Sequence, residues 1–105
     1  MCRWLATLFG FHPPIVEEAI LRDAPWLSQL HSASFPRGWG VNEFEQMLLD
    51  RNTLTHRLRQ GRHIIGFSIS RLAADEAEIL SIAITVKKRG QGLSRELLHT
   101  HLGYL

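Results

Sequence analysis

Lys87-Lys88-Arg89-Gly90-Gln91-Gly92 is the run whose residue types and spacing point to chemistry. Glycines at 90 and 92 permit backbone conformations closed to other residues, so bare N–H groups can turn toward one point. Before the run, Ile79, Leu80, Ile82, Ala83, Ile84 and Val86 are rich in β-branched types and predict a buried strand. After it, Leu93, Leu97, Leu98 and Leu102 recur at helical spacing. A strand, a glycine turn and a new helix N-terminus together make an anion site, most naturally for phosphate. Arg89-Gly90-Gln91-Gly92-Leu93-Ser94 fits the pattern Arg/Gln-x-x-Gly-x-Gly/Ala, with Ser94 in place of the last small residue. The frame beginning at Lys87 nearly fits too; distance from the strand favours Arg89.

Other chemistry is thinner. Glu78 opens the same strand, and apolar neighbours there would raise its pKa as a general base requires. A strand-edge glutamate in solvent is the competing account. Asp75 and Glu76 read as hairpin charges. Phe35 and Trp39 flank Pro36-Arg37-Gly38 in a loop, and either line a binding groove or pack over the preceding helix. The six histidines make no metal-ligand pattern, since His99 and His101 point in different directions on a helix and the rest are scattered. Cys2 is the single cysteine, which excludes an intrachain disulfide and a cysteine-rich metal site.

The elements that must position these residues follow from the pattern. Ile15–Ile20 predicts a first strand. Asp23 reads as an N-cap with Pro25 in the first turn, and Trp26, Leu27, Leu30 and Ala33 as the apolar side of a helix. Glu43, three residues past Gly40, is placed to reach back to the start of a second helix bearing Phe44, Met47 and Leu48. Strands over Thr53–Leu58 and His63–Ser70 join at Gln60-Gly61-Arg62, and a polar connection over Leu72–Glu76 leads to the strand before the glycine loop. The order β-α-α-β-β-β-α predicts an α/β (α+β) layer, a mostly antiparallel sheet flanked by helices. With 105 residues, 45% hydrophobic and 21% charged, the chain suits one small globular domain. A net charge of +2 is too diffuse for a dedicated nucleic-acid binder. MCRWLATLFGF is too short to span a bilayer and no small-x-small cleavage site follows it, so residues 1–13 read as an N-terminal extension and 14–105 as the domain.

The segment AEILSIAITVKKRGQGLSRELLHTHL resembles the acetyl-coenzyme A motif of GNAT-type N-acetyltransferases. More narrowly, RDAPWLSQLHSASFPRGW followed by FEQML is similar to the first helices and acceptor-side loop of the bacterial ribosomal-protein-alanine N-acetyltransferases. The resemblance runs from about Pro14 to the end. It implies that backbone at Ile82, Ala83 and Ile84 hydrogen-bonds the pantetheine arm. N–H groups of Gly90, Gln91, Gly92, Leu93, Ser94 and Arg95 would wrap the pyrophosphate, and Arg89 would orient the loop or screen charge. Phe35 and Trp39 would face an acceptor peptide. Acetyl-CoA is then the co-substrate, the acceptor a protein N-terminal amine such as a ribosomal protein's alanine, and the compartment the cytoplasm. No membrane partner or specific nucleic acid is implied.

In that family a further strand and helix carry the carboxylate base and the tyrosine acid, and Tyr104 lies in the wrong element to substitute. The expectation is a C-terminally incomplete domain with cofactor-site chemistry and little or no turnover. The rival reading is a non-catalytic basic module, or acetyltransferase remnant, using Arg57, Arg59, Arg62 and Lys87–Arg89 on a ribosomal or RNA surface.

Overall fold

A computed structural model describes residues 12–105; the N-terminal extension up to residue 11, with Cys2, lies outside the described residues. Strands β1 (Ile15–Glu18), β2 (Thr53–Gln60), β3 (His63–Ala73) and β4 (Glu76–Ile84) form one sheet in the order β1-β2-β3-β4. Every pairing is antiparallel. Helices α1 (Ala24–Ser34) and α2 (Val41–Leu49) connect β1 to β2, and α3 (Leu93–Gly103) follows β4. The predicted order and layering hold. Gly61, at φ +61°, makes the β2–β3 turn that its sequence neighbours predict. Among the described residues, no helix is long and apolar enough to cross a membrane.

Two apolar clusters lie on opposite faces of the sheet. Leu27, Leu30, Phe44, Phe67, Ile69 and Ala83 join α1 and α2 to one face, with Leu80 packed against them. Leu58, Ile65, Ile84, Leu93 and Leu97 join α3 to the other. Positions 80 and 83 share a face although strict alternation would separate them. The reason is a bulge: Ile69 pairs with Ser81 while Ser70 pairs with Ile79, leaving Leu80 as an extra residue. A second bulge at Leu58/Arg59 leaves Ile65 unpaired and turns it to the α3 side. Gly66 sits between these layers, where an added Cβ would meet Ile84 Cδ1 at 2.6 Å and the Ala83 carbonyl at 3.0 Å. Gly66→Ala is therefore expected to cost about 1–3 kcal/mol through overpacking, read as a lower denaturant midpoint at unchanged m-value.

Several local expectations are corrected. Trp26 (61% exposed) and Ala33 face solvent; the buried side of α1 is Ala24, Leu27, Leu30 and His31. Asp23 does not cap α1 with its side chain. Its carboxylate accepts instead from the Ile20 N–H (2.8 Å) and from Arg57 (2.8 Å to each oxygen), because buried Asp23 is most strongly satisfied by a cation from β2. The strand before the glycine loop is buried only from Ser81 to Ile84, with Ile82 partly covered; Glu76 to Ile79 are exposed. It ends at Ile84, and Val86 belongs to a 3-10 turn, Val86–Lys88, with its side chain in solvent. The polar connection shrinks to Ala74-Asp75, since β3 runs on to Ala73 and β4 starts at Glu76.

Candidate functional site

The loop after β4 is assembled from both ends. The Thr85 N–H donates to the Ile65 carbonyl (2.7 Å), the last rung tying it to β3. Lys88 N–H then closes on Thr85 (2.9 Å), winding the chain into the 3-10 turn. Arg89 Nε donates back to the Ile84 carbonyl (2.9 Å), and its terminal nitrogen reaches Ser34 Oγ on α1 (3.2 Å). Arg89 thus clamps the loop to the strand end. Gly90 and Gly92 both hold positive φ, +81° and +77°, and Gly92 is the N-cap of α3. The first bond into α3 runs from Glu96 N–H to the Gly92 carbonyl (3.3 Å), so the N–H groups of Leu93, Ser94 and Arg95 precede it without intrahelical acceptors.

Ile84, Lys88, Arg89, Gly90, Leu93 and Ser94 line a cleft of about 300 Å³ at this point. Among the described residues, nothing beyond the adjacent chain lies within 4 Å of where a Cβ on Gly90 or Gly92 would stand. The glycines leave open space in front of a helix N-terminus, which suits a phosphate group. Lys88, part of the basic run noted in the sequence, joins Arg89 as a cation there. Ala83 and Ile82 lie one and two residues upstream of Ile84 on β4, the outer strand of the described sheet, while Gln91 borders a different cleft and Arg95 is exposed.

A second cleft, about 390 Å³, lies on the α1–α2 face. Trp39, Glu43, Met47, Asp50, Arg71 and the bulge residue Leu80 border it. Trp39 both borders the cleft and packs over the preceding helix, stacking on His31 (4.4 Å between centroids, 15° between planes). Its N–H backbone group donates to His31 Nδ1 (3.0 Å), and its carbonyl accepts from Ser28 Oγ (2.7 Å). Phe35 packs on His31 at 4.5 Å and does not border the cleft. His31 is the hub of this loop, touching Phe44 and Phe67 as well. Burial lowers its pKa, with Glu43 opposing weakly, so the neutral ring that accepts from Trp39 is favoured. Sequence spacing offered no sign of this; a histidine seven positions after Ala24 on the same helix face was the only signal.

Glu78 pairs across strands with Arg71, so the two share a face at the margin of the Trp39 cleft. Its surroundings are solvent, which fits the strand-edge account of the two that the sequence offered. Glu43 and Asp50 border the cleft itself; each gives one oxygen to a backbone N–H, Gly40 (3.1 Å) and Asn52 (2.8 Å) respectively.

Two of the basic residues invoked for an RNA surface are already paired. Arg57 bonds Glu17 (2.9 Å from Nε) and Asp23, and Arg59 bonds Glu17 as well. The Arg59 hydrogen bond is the main influence holding the Glu17 carboxyl below its usual range. Burial opposes the charge on Arg57, but its bonds to Glu17 and Asp23 outweigh that and raise its pKa.

The chain has the fold of the GNAT-type N-acetyltransferases. It matches the crystal structure of the ribosomal-protein-S18-alanine N-acetyltransferase from Escherichia coli with a TM-score of 0.80 at 22% identity, over 88% of this chain and 59% of that one. The ribosomal-protein-alanine N-acetyltransferase from Brucella melitensis biovar Abortus 2308 gives 0.72 at 21% identity, over 87% and 70%. An aminoglycoside acetyltransferase from an uncultured soil metagenomic sample gives 0.73 at 17% identity, over 87% and 68%. This chain thus spans less than two thirds of the Escherichia coli enzyme. No protein-family model and no curated protein matches the sequence.

Proposed function

We propose that residues 14–105 form an acetyl-CoA-dependent N-acetyltransferase domain, and that its acceptor is a protein N-terminal amine. The observation that carries this reading is the glycine cradle: Gly90 and Gly92 open the space before the α3 N-terminus, and Arg89 holds the loop against the end of β4. The diphosphate of the coenzyme would sit against the N–H groups of Gly90 to Arg95, with Lys88 balancing its charge. The pantetheine arm would run along Ile82, Ala83 and Ile84. Acetyl-CoA supplies an activated acetyl thioester to a neutral amine. The chain's part is to hold it, to bring the amine to the β4 bulge, and to exclude water.

The Trp39 cleft is the acceptor side in this proposal. Leu80, the bulge residue, forms its wall toward β4, and Glu43 and Asp50 give it carboxylates that would draw an ammonium group. Glu78, at the margin beside Arg71, is the proposed carboxylate for removing the amine's proton. A ribosomal-protein alanine as acceptor and a cytoplasmic setting belong to the same proposal, supported by the two bacterial neighbours' names.

Isothermal titration with acetyl-CoA tests the reading directly, and mass spectrometry of a peptide with an N-terminal alanine tests transfer. Binding at micromolar strength is expected; absence of binding at millimolar coenzyme overturns it. Trp39→Ala should weaken the peptide by about tenfold, since it removes a large aromatic contact, while leaving acetyl-CoA affinity unchanged. Equal losses for both ligands would mean that Trp39 acts only through the fold.

A further inference from the structure

The loop between α1 and α2 is held to α1 through the peptide groups of Trp39. Ser28 and His31 stand three residues apart on α1, and so on one side of the helix, and each takes one of those groups. The Trp39 N–H donates to His31 Nδ1 (3.0 Å), and the Trp39 carbonyl accepts from Ser28 Oγ (2.7 Å). Gly38 lets the loop come this close, because a Cβ there would stand 2.8 Å from Ser32 Cα. Past Trp39, the Gly40 N–H is taken by the Glu43 carboxylate (3.1 Å). A ring nitrogen that accepts must offer a lone pair, so His31 is neutral in this contact and carries its proton on Nε2. His31 is buried, and the acetyl-transfer reading gives it no part.

We propose that His31 is the positioning residue of the Trp39 cleft, and that a proton on its Nδ1 releases Trp39 from the seat it needs to receive an acceptor. The inference rests on the acceptor reading above, in which Trp39 contacts the incoming peptide. Protonation turns the acceptor nitrogen into a second donor, which leaves two N–H groups facing each other at 3.0 Å and the Trp39 N–H without a partner. Ser28 alone then holds the loop at this point. The ring is enclosed by Phe44 of α2, Phe67 of β3, and Phe35 and Trp39 of the loop, none of them charged. Glu43 of α2 is the charged group that acts on it; that carboxylate favours the cation, as does the stacked indole face. Burial outweighs Glu43, so the proton is taken up below the ordinary value of 6.5. Acid thus withdraws Trp39 in the range where an acceptor amine is itself protonated and unable to attack.

Calorimetry on the full chain, with acetyl-CoA and with a short peptide bearing an N-terminal alanine, separates positioning from packing. His31→Phe keeps an aromatic ring in the cluster and removes the acceptor; it should weaken the peptide by about tenfold and leave acetyl-CoA affinity unchanged. His31→Asn puts a carbonyl oxygen near the Nδ1 position without the ring. It should lower the melting temperature more than His31→Phe does, yet recover most of the peptide affinity. Peptide affinity that instead follows the melting temperature across the two variants overturns the positioning role. Trp39 emission tests the proton step without any ligand, because charge on a stacked ring changes the fluorescence of an indole. The difference in emission between the wild type and Trp39→Phe should change as pH falls from about 7.5 to about 5, at constant far-UV circular dichroism. The same difference taken in a His31→Phe background should stay flat; a flat wild-type difference overturns the proposal. Equal peptide affinity in the wild type and His31→Phe, with acetyl-CoA still bound, overturns it and leaves the coenzyme reading standing. Failure of the wild type to bind either ligand overturns both.

Discussion

Gly92→Trp is expected to remove coenzyme binding while the domain stays folded. Gly92 caps α3 at φ +77°, where a side chain costs about 1–2 kcal/mol of backbone strain. Among the described residues, nothing beyond the adjacent chain lies within 4 Å of its Cβ position, so the first carbon of a side chain fits there. An indole there projects into the open space before the N–H groups of Leu93, Ser94 and Arg95. Losing two charge-assisted hydrogen bonds to phosphate, at about 1.5–3 kcal/mol each, weakens binding by about a hundredfold or more. Gly92→Ala separates the effects, because it brings the same strain with little bulk and should retain most of the affinity. Calorimetry with acetyl-CoA and a thermal melt read the two quantities independently. Wild-type affinity in Gly92→Trp would remove the cradle from the mechanism.

The second large effect is acid destabilisation centred on α3. His101 and His56 are buried, and their Nδ1 atoms stand 2.7 Å apart. One ring must carry the proton in that contact and the other a lone pair, so both cannot be cationic. His101 Nε2 also bonds Ser70 Oγ at 2.6 Å, linking α3 to the middle of β3. Burial, followed by repulsion from His56, pushes His101 down to about 4, and burial lowers His56, with Glu18 opposing weakly. Tyr104 closes the site with its ring 4.8 Å from His56.

A histidine lowered in the folded state takes up its proton first in the unfolded chain. Stability is therefore full above the ordinary value near 6.5 and is lost as pH falls toward 4. The gap from 6.5 to about 4 corresponds to about 3 kcal/mol for His101, and His56 acts in the same direction. Glu17, whose pKa is lowered, contributes its stability above the ordinary carboxylate range and loses it only at lower pH, after the histidines. Urea unfolding at pH 7, 5.5 and 4 should show the decline. In His101→Leu stability near pH 7 falls, because Ser70 and His56 lose their partner, but the slope between pH 6.5 and 4 flattens. An unchanged slope in that variant would assign the acid sensitivity to other groups.

The glycine loop was legible because its signals are local. Gly90, Gly92 and the helical leucines after them act on a few bonds of nearby chain, and Glu43 reaches Gly40 within one helical turn, as its spacing predicts. Trp26 and Ala33 misled, because periodicity identifies a stripe without saying whether a neighbour covers its edge. Ile79 and Val86 misled for a related reason: an apolar run marks a strand, and its burial depends on what packs over each end. The bulge at Leu80 has no local signature. It exists because β3 and β4 must both register their buried residues against helices on opposite faces.

His31, His56 and His101 show the same division. In sequence they are scattered polar residues without metal spacing, and each proves to be a structural centre, His31 under Trp39 and the other two between α3 and the sheet. Contacts spanning 45 residues, as between His56 and His101, leave no periodic trace in the chain. By itself the sequence determined the order of elements and the glycine-capped helix with its free N–H groups, because dihedral freedom and helix polarity are short-range properties. Only the tertiary structure decided that Arg57 and Arg59 are paired with carboxylates, and that Trp39 rather than Phe35 borders the cleft on the α1–α2 face. Those depend on long-range packing and charge pairing, which form only when the sheet and helices close.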